Sequence, residues 1–113
     1  MGSLKLNLVR GAMLAVIAIG AALWSLPAAA DAAATYKGKC AMCHGADGKG
    51  DTAAGKKMGA HDFASPDVQN LSDAELVTLI AKGKNKMPGY EKSLKDADIK
   101  ELVTYVRQLA KGK

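Results

Sequence analysis

The chain has 113 residues and a formal net charge of +5, a length that argues for one domain and excludes multi-domain enzymes. Two cysteines are too few for the disulfide framework of a secreted mini-protein. The first 30 residues carry only Lys5 and Arg10 as charged side chains, whereas all 11 acidic and 14 of the 16 basic residues follow, so the remainder is mildly basic and suits acidic partners.

Met1 to Arg10 reads as a basic leader, Gly11 to Leu26 as an apolar stretch of 16 residues, and Pro27 as a break followed by alanines. This is the pattern of a secretory signal peptide over residues 1–30, leaving 31–113 as the exported domain. Small residues permit cleavage after Ala30 or after Ala34, and the first is favoured. The competing reading is an uncleaved anchor, since the uncharged run from Gly11 to Ala30 just reaches the length of a bilayer span. No cysteine directly follows the apolar stretch to take a lipid. About 83 residues then remain, a size at which a side-chain core alone is marginal without disulfides, metal or cofactor. Their aromatics are Tyr36, Phe63, Tyr90 and Tyr105, so the core lacks a large apolar body.

Beyond the leader no repeat or strand alternation is visible, and the periodic stretches predict helices. The first spans Asp31 to His44, started by Asp31 or Thr35 and stopped by Gly45. Gly45 to Gly59 is rich in Gly and Lys without an apolar period, which predicts a loop, and His61 to Asn70 reads as irregular around Pro66. The middle helix starts sharply, because Ser72-Asp73-Ala74-Glu75 is a capping box and Leu71 can staple against Leu76. It buries Leu76, Leu79 and Ile80 and ends at Gly83. Lys84 to Lys95 contains Met87-Pro88-Gly89, and Pro88 biases Met87 away from helical geometry, so the segment is a loop. The last helix, about Asp96 to Ala110, lines Ile99, Leu102, Val103, Val106, Leu109 and Ala110 on one stripe.

Cys40-Ala41-Met42-Cys43-His44 carries the chemistry. Its C-x-x-C-H pattern is the attachment signature of c-type haem. Cysteines three apart on a helix turn share a side, and His44, four after Cys40, lies over it too. The two thiols can then add to haem vinyl groups as thioethers while the imidazole reaches the iron. Three other readings compete. A thiol-disulfide oxidoreductase wants its C-x-x-C near a βαβ pattern, and no strand signal exists here. Structural zinc wants four ligands, and His61 is the only further histidine. A plain disulfide leaves His44 unexplained.

On these residues the chain resembles the small monohaem bacterial cytochromes c with an N-terminal attachment motif. The resemblance runs from about Ala32 to Leu109. It rests on Cys40 to Gly45 with Ala46-Asp47-Gly48-Lys49-Gly50, on Lys86-Met87-Pro88, and on Leu102-Val103-Thr104-Tyr105-Val106. It implies an all-α cytochrome c fold, with three main helices and loops wrapped around one covalently bound haem. It also implies that the first and last helices cross, bringing Tyr36 to Tyr105, a pair type that contributes about 0.5 to 1.5 kcal/mol beyond area burial. Two positions depart from the pattern. Many members of the family carry a proline in the loop after the attachment motif, whose neighbourhood supplies a carbonyl to the proximal imidazole; here Ala53 stands near that place, which leaves the partner of His44 unassigned. Ala32 falls where glycine is common, implying a slightly wider helix crossing.

For the sixth iron position the resemblance implies a methionine. Met42 lies inside the attachment loop on the proximal side, which leaves Met58, His61 and Met87. Met87 is best placed, 43 residues after His44 and beyond a helix, whereas Met58 and His61 follow by only 14 and 17. Met58 then reads as pocket-lining, and His61 as a surface or propionate-contacting ring. The expected haem-binding set is Cys40, Cys43, His44 and Met87, with His44 and Met87 on the iron. A thioether opposite histidine raises the potential and closes the iron to substrate, which predicts a monomeric periplasmic electron carrier and not an enzyme. A peroxidase-like or ligand-binding haem protein with a labile or absent distal Met, or a membrane-anchored cytochrome subunit, is the alternative. Lys82, Lys84 and Lys86, with Lys92 and Lys95 nearby, form a basic collar for acidic redox partners or else are simply solvated. Lys56 and Lys57 can meet haem propionates or water. No aromatic-interleaved basic patch suits nucleic acid.

Overall fold

The computed structural model describes residues 28–112. Nearly all of the expected leader therefore lies outside the described residues. The described chain is all-α, with helices α1 (Ala28–Lys39), α2 (Ala41–His44), α3 (Ala53–Met58), α4 (Pro66–Gln69), α5 (Asp73–Lys82) and α6 (Asp96–Ala110). The three long ones, α1, α5 and α6, form the expected framework.

α6 is the centre of the packing. Its stripe buries Ile99, Leu102, Val103, Val106 and Leu109, with Ala110 half-buried. One side meets α1 and the other α5. On α1 the contact is made by Tyr36, whose ring lies 5.1 Å from that of Tyr105 at 52°, so the implied aromatic pair is present. Ala32 is buried on the same helix. On α5 the capping box forms as the sequence predicts: Ser72 N–H donates to Glu75 Oε2 at 2.7 Å and Glu75 N–H to Ser72 Oγ at 3.1 Å. Hydrogen bonding from the Ser72 backbone, then from its side chain, holds the Glu75 carboxyl below its ordinary range. Leu76 and Ile80 are buried, while Leu79 is only half-buried. Arg107 ties the two helices together, reaching Leu71 O at 2.6 Å and Asp73 Oδ1 at 3.1 Å.

Three expectations need correction. First, α1 starts at Ala28, not at Asp31 or Thr35; alanine is the best helix former, and Asp31 in the first turn complements the helix dipole. The same helix stops at Lys39, where Cys40, still in the right-handed region but stretched to φ −116° at ψ −36°, separates it from α2. Second, the stretch 45–59 is not wholly a loop, for α3 lies within it. Thr52 caps α3 by accepting Gly55 N–H at 2.9 Å, and Gly59 closes it in the left-handed region at φ +73°. The residue that α3 buries is Gly55, which leaves no apolar period to read. Third, α4 gives a single turn to the stretch 61–70, with Pro66 at its start, where the missing N–H costs nothing.

Truncating Leu102, at the centre of the α6 stripe, should cost about 2–5 kcal/mol. Chemical denaturation of Leu102→Ala checks this.

Candidate cofactor site

The attachment segment is a single turn held from three sides. Cys43 N–H donates to Cys40 O at 3.2 Å and His44 N–H to the same carbonyl at 3.0 Å. This stacks both thiols and the imidazole on one short turn. Thr52 Oγ contacts Met42 O at 2.8 Å and Cys43 O at 2.9 Å as donor. Gly55 seats α3 directly against this turn, for a Cβ there would collide with Cys43 O. Tyr36 Oη donates to Gly45 O at 2.5 Å from the core side. Gly50 N–H returns to His44 O at 2.8 Å. Thr52 and Gly55 were not legible as site residues; a capping threonine followed by a glycine three residues on was the available signal.

His44 is half-buried, its ring 4.8 Å from Phe63 at 32°. Phe63 is itself fixed, its N–H on Gly48 O at 2.9 Å and its carbonyl taking Gln69 Nε2 at 2.7 Å. The buried Nδ1 of His44 has no hydrogen-bond partner, so no carbonyl near Ala53 serves it. Burial, then the nearby His61, push the His44 pKa below the usual histidine range. The ring is neutral at neutral pH, the form that ligates metals. Both cysteines are free and half-buried. Burial pushes the Cys40 thiol up to about 11 against the opposing charge of Lys39, the reverse of the low-pKa thiolate that redox C-x-x-C chemistry uses. Among the described residues no three His, Cys, Asp or Glu side chains converge as a metal cage, so the zinc reading lacks its ligand set.

The segment after α5 folds back on that helix. Lys84 and Met87 exchange backbone hydrogen bonds at 3.1 and 3.0 Å around Asn85 in the left-handed region at φ +54°. Gly83 and Gly89 permit the closure: a Cβ on Gly83 would lie 2.6 Å from Met87 O, and one on Gly89 2.6 Å from Ala81 O. Tyr90 and Glu91 N–H groups then satisfy Ile80 O at 3.0 Å and Ala81 O at 3.1 Å. Met87 is half-buried and packs against the core. By contrast Met42 is 79% exposed and Met58 49% exposed. His61 faces outward, its Nδ1 3.7 Å from the Asp67 carboxylate. The basic collar is narrower than expected, because Lys82 pairs with Glu91 at 2.7 Å. Lys84, Lys86, Lys92 and Lys95 are exposed. Lys56 contacts Asp51 at 3.4 Å.

The family model described as cytochrome c oxidase, cbb3-type, subunit III matches residues 27–106. The chain belongs to the cytochrome c family. The cytochrome is 41% identical over 91 residues to the cbb3-type cytochrome c oxidase subunit CcoP of Azospirillum brasilense, covering 74% of this chain and 31% of that one. It thus spans about a third of that oxidase subunit. It is 30% identical to cytochrome c-555 of Methylococcus capsulatus, covering 96% of this chain and 89% of the other. Among solved structures, the KustC0563 c-type cytochrome superposes with a TM-score of 0.65 at 32% identity, covering 70% of this chain and 96% of that one. The expected all-α cytochrome c fold is therefore the observed one. Membership implies covalently bound haem c with its iron. The donors present suit such a group: two free thiols on one turn, a neutral imidazole beside them, and a half-buried thioether on a separate loop.

Gly55→Ala should lower the thermal midpoint and the yield of haem retained on a denaturing gel, since its Cβ forces α3 off the attachment turn at a cost of about 1–3 kcal/mol. Gly38→Ala, on the exposed side of α1 with nothing within 4 Å, should instead stabilise by about 0.4–1 kcal/mol. Equal thermal midpoints for the two variants contradict this role of Gly55.

Proposed function

We propose that this cytochrome is a soluble, monomeric electron carrier of the periplasm that holds one haem c. In this reading Cys40 and Cys43 bond the haem as thioethers, and His44 and Met87 are the axial residues. The observation that carries it is the placement of Met87, the one methionine among Met42, Met58 and Met87 that packs against the core. When bound, haem supplies one-electron chemistry between ferric and ferrous iron, and a thioether opposite an imidazole favours the ferrous form. Neutral His44 offers nitrogen without first losing a proton. With Met87 on the iron, no position would be left for a substrate, which supports a carrier over a peroxidase-like enzyme.

The remaining features agree with this role. Lys84, Lys86, Lys92 and Lys95 present charge around the Met87 loop for an acidic docking surface, sensitive to salt. One relative, from Thiomonas intermedia, is described as a thiosulfate dehydrogenase electron acceptor, at 32% identity over 100 residues. No helix among the described residues is long and apolar enough to cross a membrane. Residues 1–30 act as an export signal, and removal after Ala30 retains buried Ala32, which cleavage after Ala34 would discard. The small core makes the haem part of the fold, so the chain without it should lose most of its helical circular dichroism.

Met87→Ala should abolish the near-infrared thioether-to-iron band and lower the reduction potential while leaving the haem covalently attached. An unchanged spectrum overturns the assignment and points to His61.

A further inference from the structure

Where α1 ends, the last carbonyls have no intrahelical donors. The break at Cys40 sharpens this, because Cys43 N–H, the donor that a continuous helix would give to Lys39 O, turns to Cys40 O at 3.2 Å. Tyr90 Oη donates to the freed Lys39 carbonyl at 3.2 Å. The N–H of the same residue serves Ile80 O at 3.0 Å, at the end of α5. Its own carbonyl receives Ser93 and Leu94 N–H at 3.0 and 2.9 Å. One residue, three after Met87, thus joins the ends of two helices across 51 positions of sequence. Its neighbours Lys84, Asn85, Lys86, Pro88 and Gly89 are exposed, whereas Tyr90 is half-buried and packs against the core.

We infer that Tyr90 is a positioning residue, clamping the Met87 loop to the attachment segment so that the thioether is presented to the sixth iron position. The inference rests on the reading of Met87 as axial residue. Burial pushes the Tyr90 phenol up, so it stays a donor throughout the neutral range. Core packing apart, the loop's other ties, the Lys84 and Met87 turn, the bonds to Ile80 and Ala81 and the Lys82–Glu91 pair, run within itself or to α5. The phenol adds the contact to the other side of the site. Removing it lets the loop open more often, and an external ligand then competes better for the iron.

The experiment titrates ferric holoprotein with imidazole while following the near-infrared thioether band, in wild type, Tyr90→Phe, Tyr90→Leu, Met87→Ala and Arg107→Ala. Tyr90→Phe should keep the band without imidazole but bind imidazole about two- to tenfold more tightly, the loss of one hydrogen bond, and Tyr90→Leu more tightly still. Arg107→Ala removes the tie between α5 and α6 elsewhere, and should lower the thermal midpoint with wild-type imidazole affinity. Wild-type affinity in both Tyr90 variants, with the band present in wild type and absent in Met87→Ala, overturns the clamp and leaves Met87 as axial residue. Matching shifts in Arg107→Ala and Tyr90→Phe also overturn it, since general loosening then suffices. A wild type with no band overturns the axial reading, and the clamp with it.

Discussion

The helix is interrupted at Cys40, which stays in the right-handed region but is stretched to φ −116° at ψ −36°, and the surroundings of the site follow from that break. It ends α1 at Lys39 and caps a separate turn, Ala41–His44, so that Cys40 precedes and Cys43 and His44 lie on it. It redirects Cys43 N–H to Cys40 O, freeing the Lys39 carbonyl for Tyr90. The turn is too short to stand alone. Thr52, Gly55 and the Tyr36 phenol hold it from three directions, so an unstable piece of backbone becomes a fixed one.

Much of this architecture was readable before the structure. The capping box at Ser72 and the six-position stripe of α6 are local signals strong enough to place whole helices, and both elements have the predicted bounds. The attachment motif was readable because its spacing is its chemistry. α3 was not, for its buried side is a glycine and closeness of backbone to backbone leaves no hydrophobic period. Nor was the pairing of Lys82 with Glu91, since the two meet only once the Met87 loop folds back over the end of α5. The orphaned Nδ1 of His44 follows the same rule: Ala53 marked where a partner was in doubt, and only three dimensions show that Nδ1 goes without one.

The relatives place this chain on a common scale. It covers nearly nine-tenths of cytochrome c-555 but under a third of the oxidase subunit CcoP. One compact unit thus serves as most of one protein and as a segment of another. In this chain that unit consists of a turn carrying the attachment motif, a helix crossing at Tyr36 and Tyr105, and a loop that returns a methionine to the core.

The central claim is that two neighbouring sulfurs of this chain hold a haem covalently. Intact mass together with the visible absorption spectrum, on protein made in a host with haem-maturation machinery, tests it most directly. The account predicts a red protein whose mass equals the chain from Asp31 onward plus one haem, with neither thiol free to react. A colourless product with both Cys40 and Cys43 open to alkylation would contradict it.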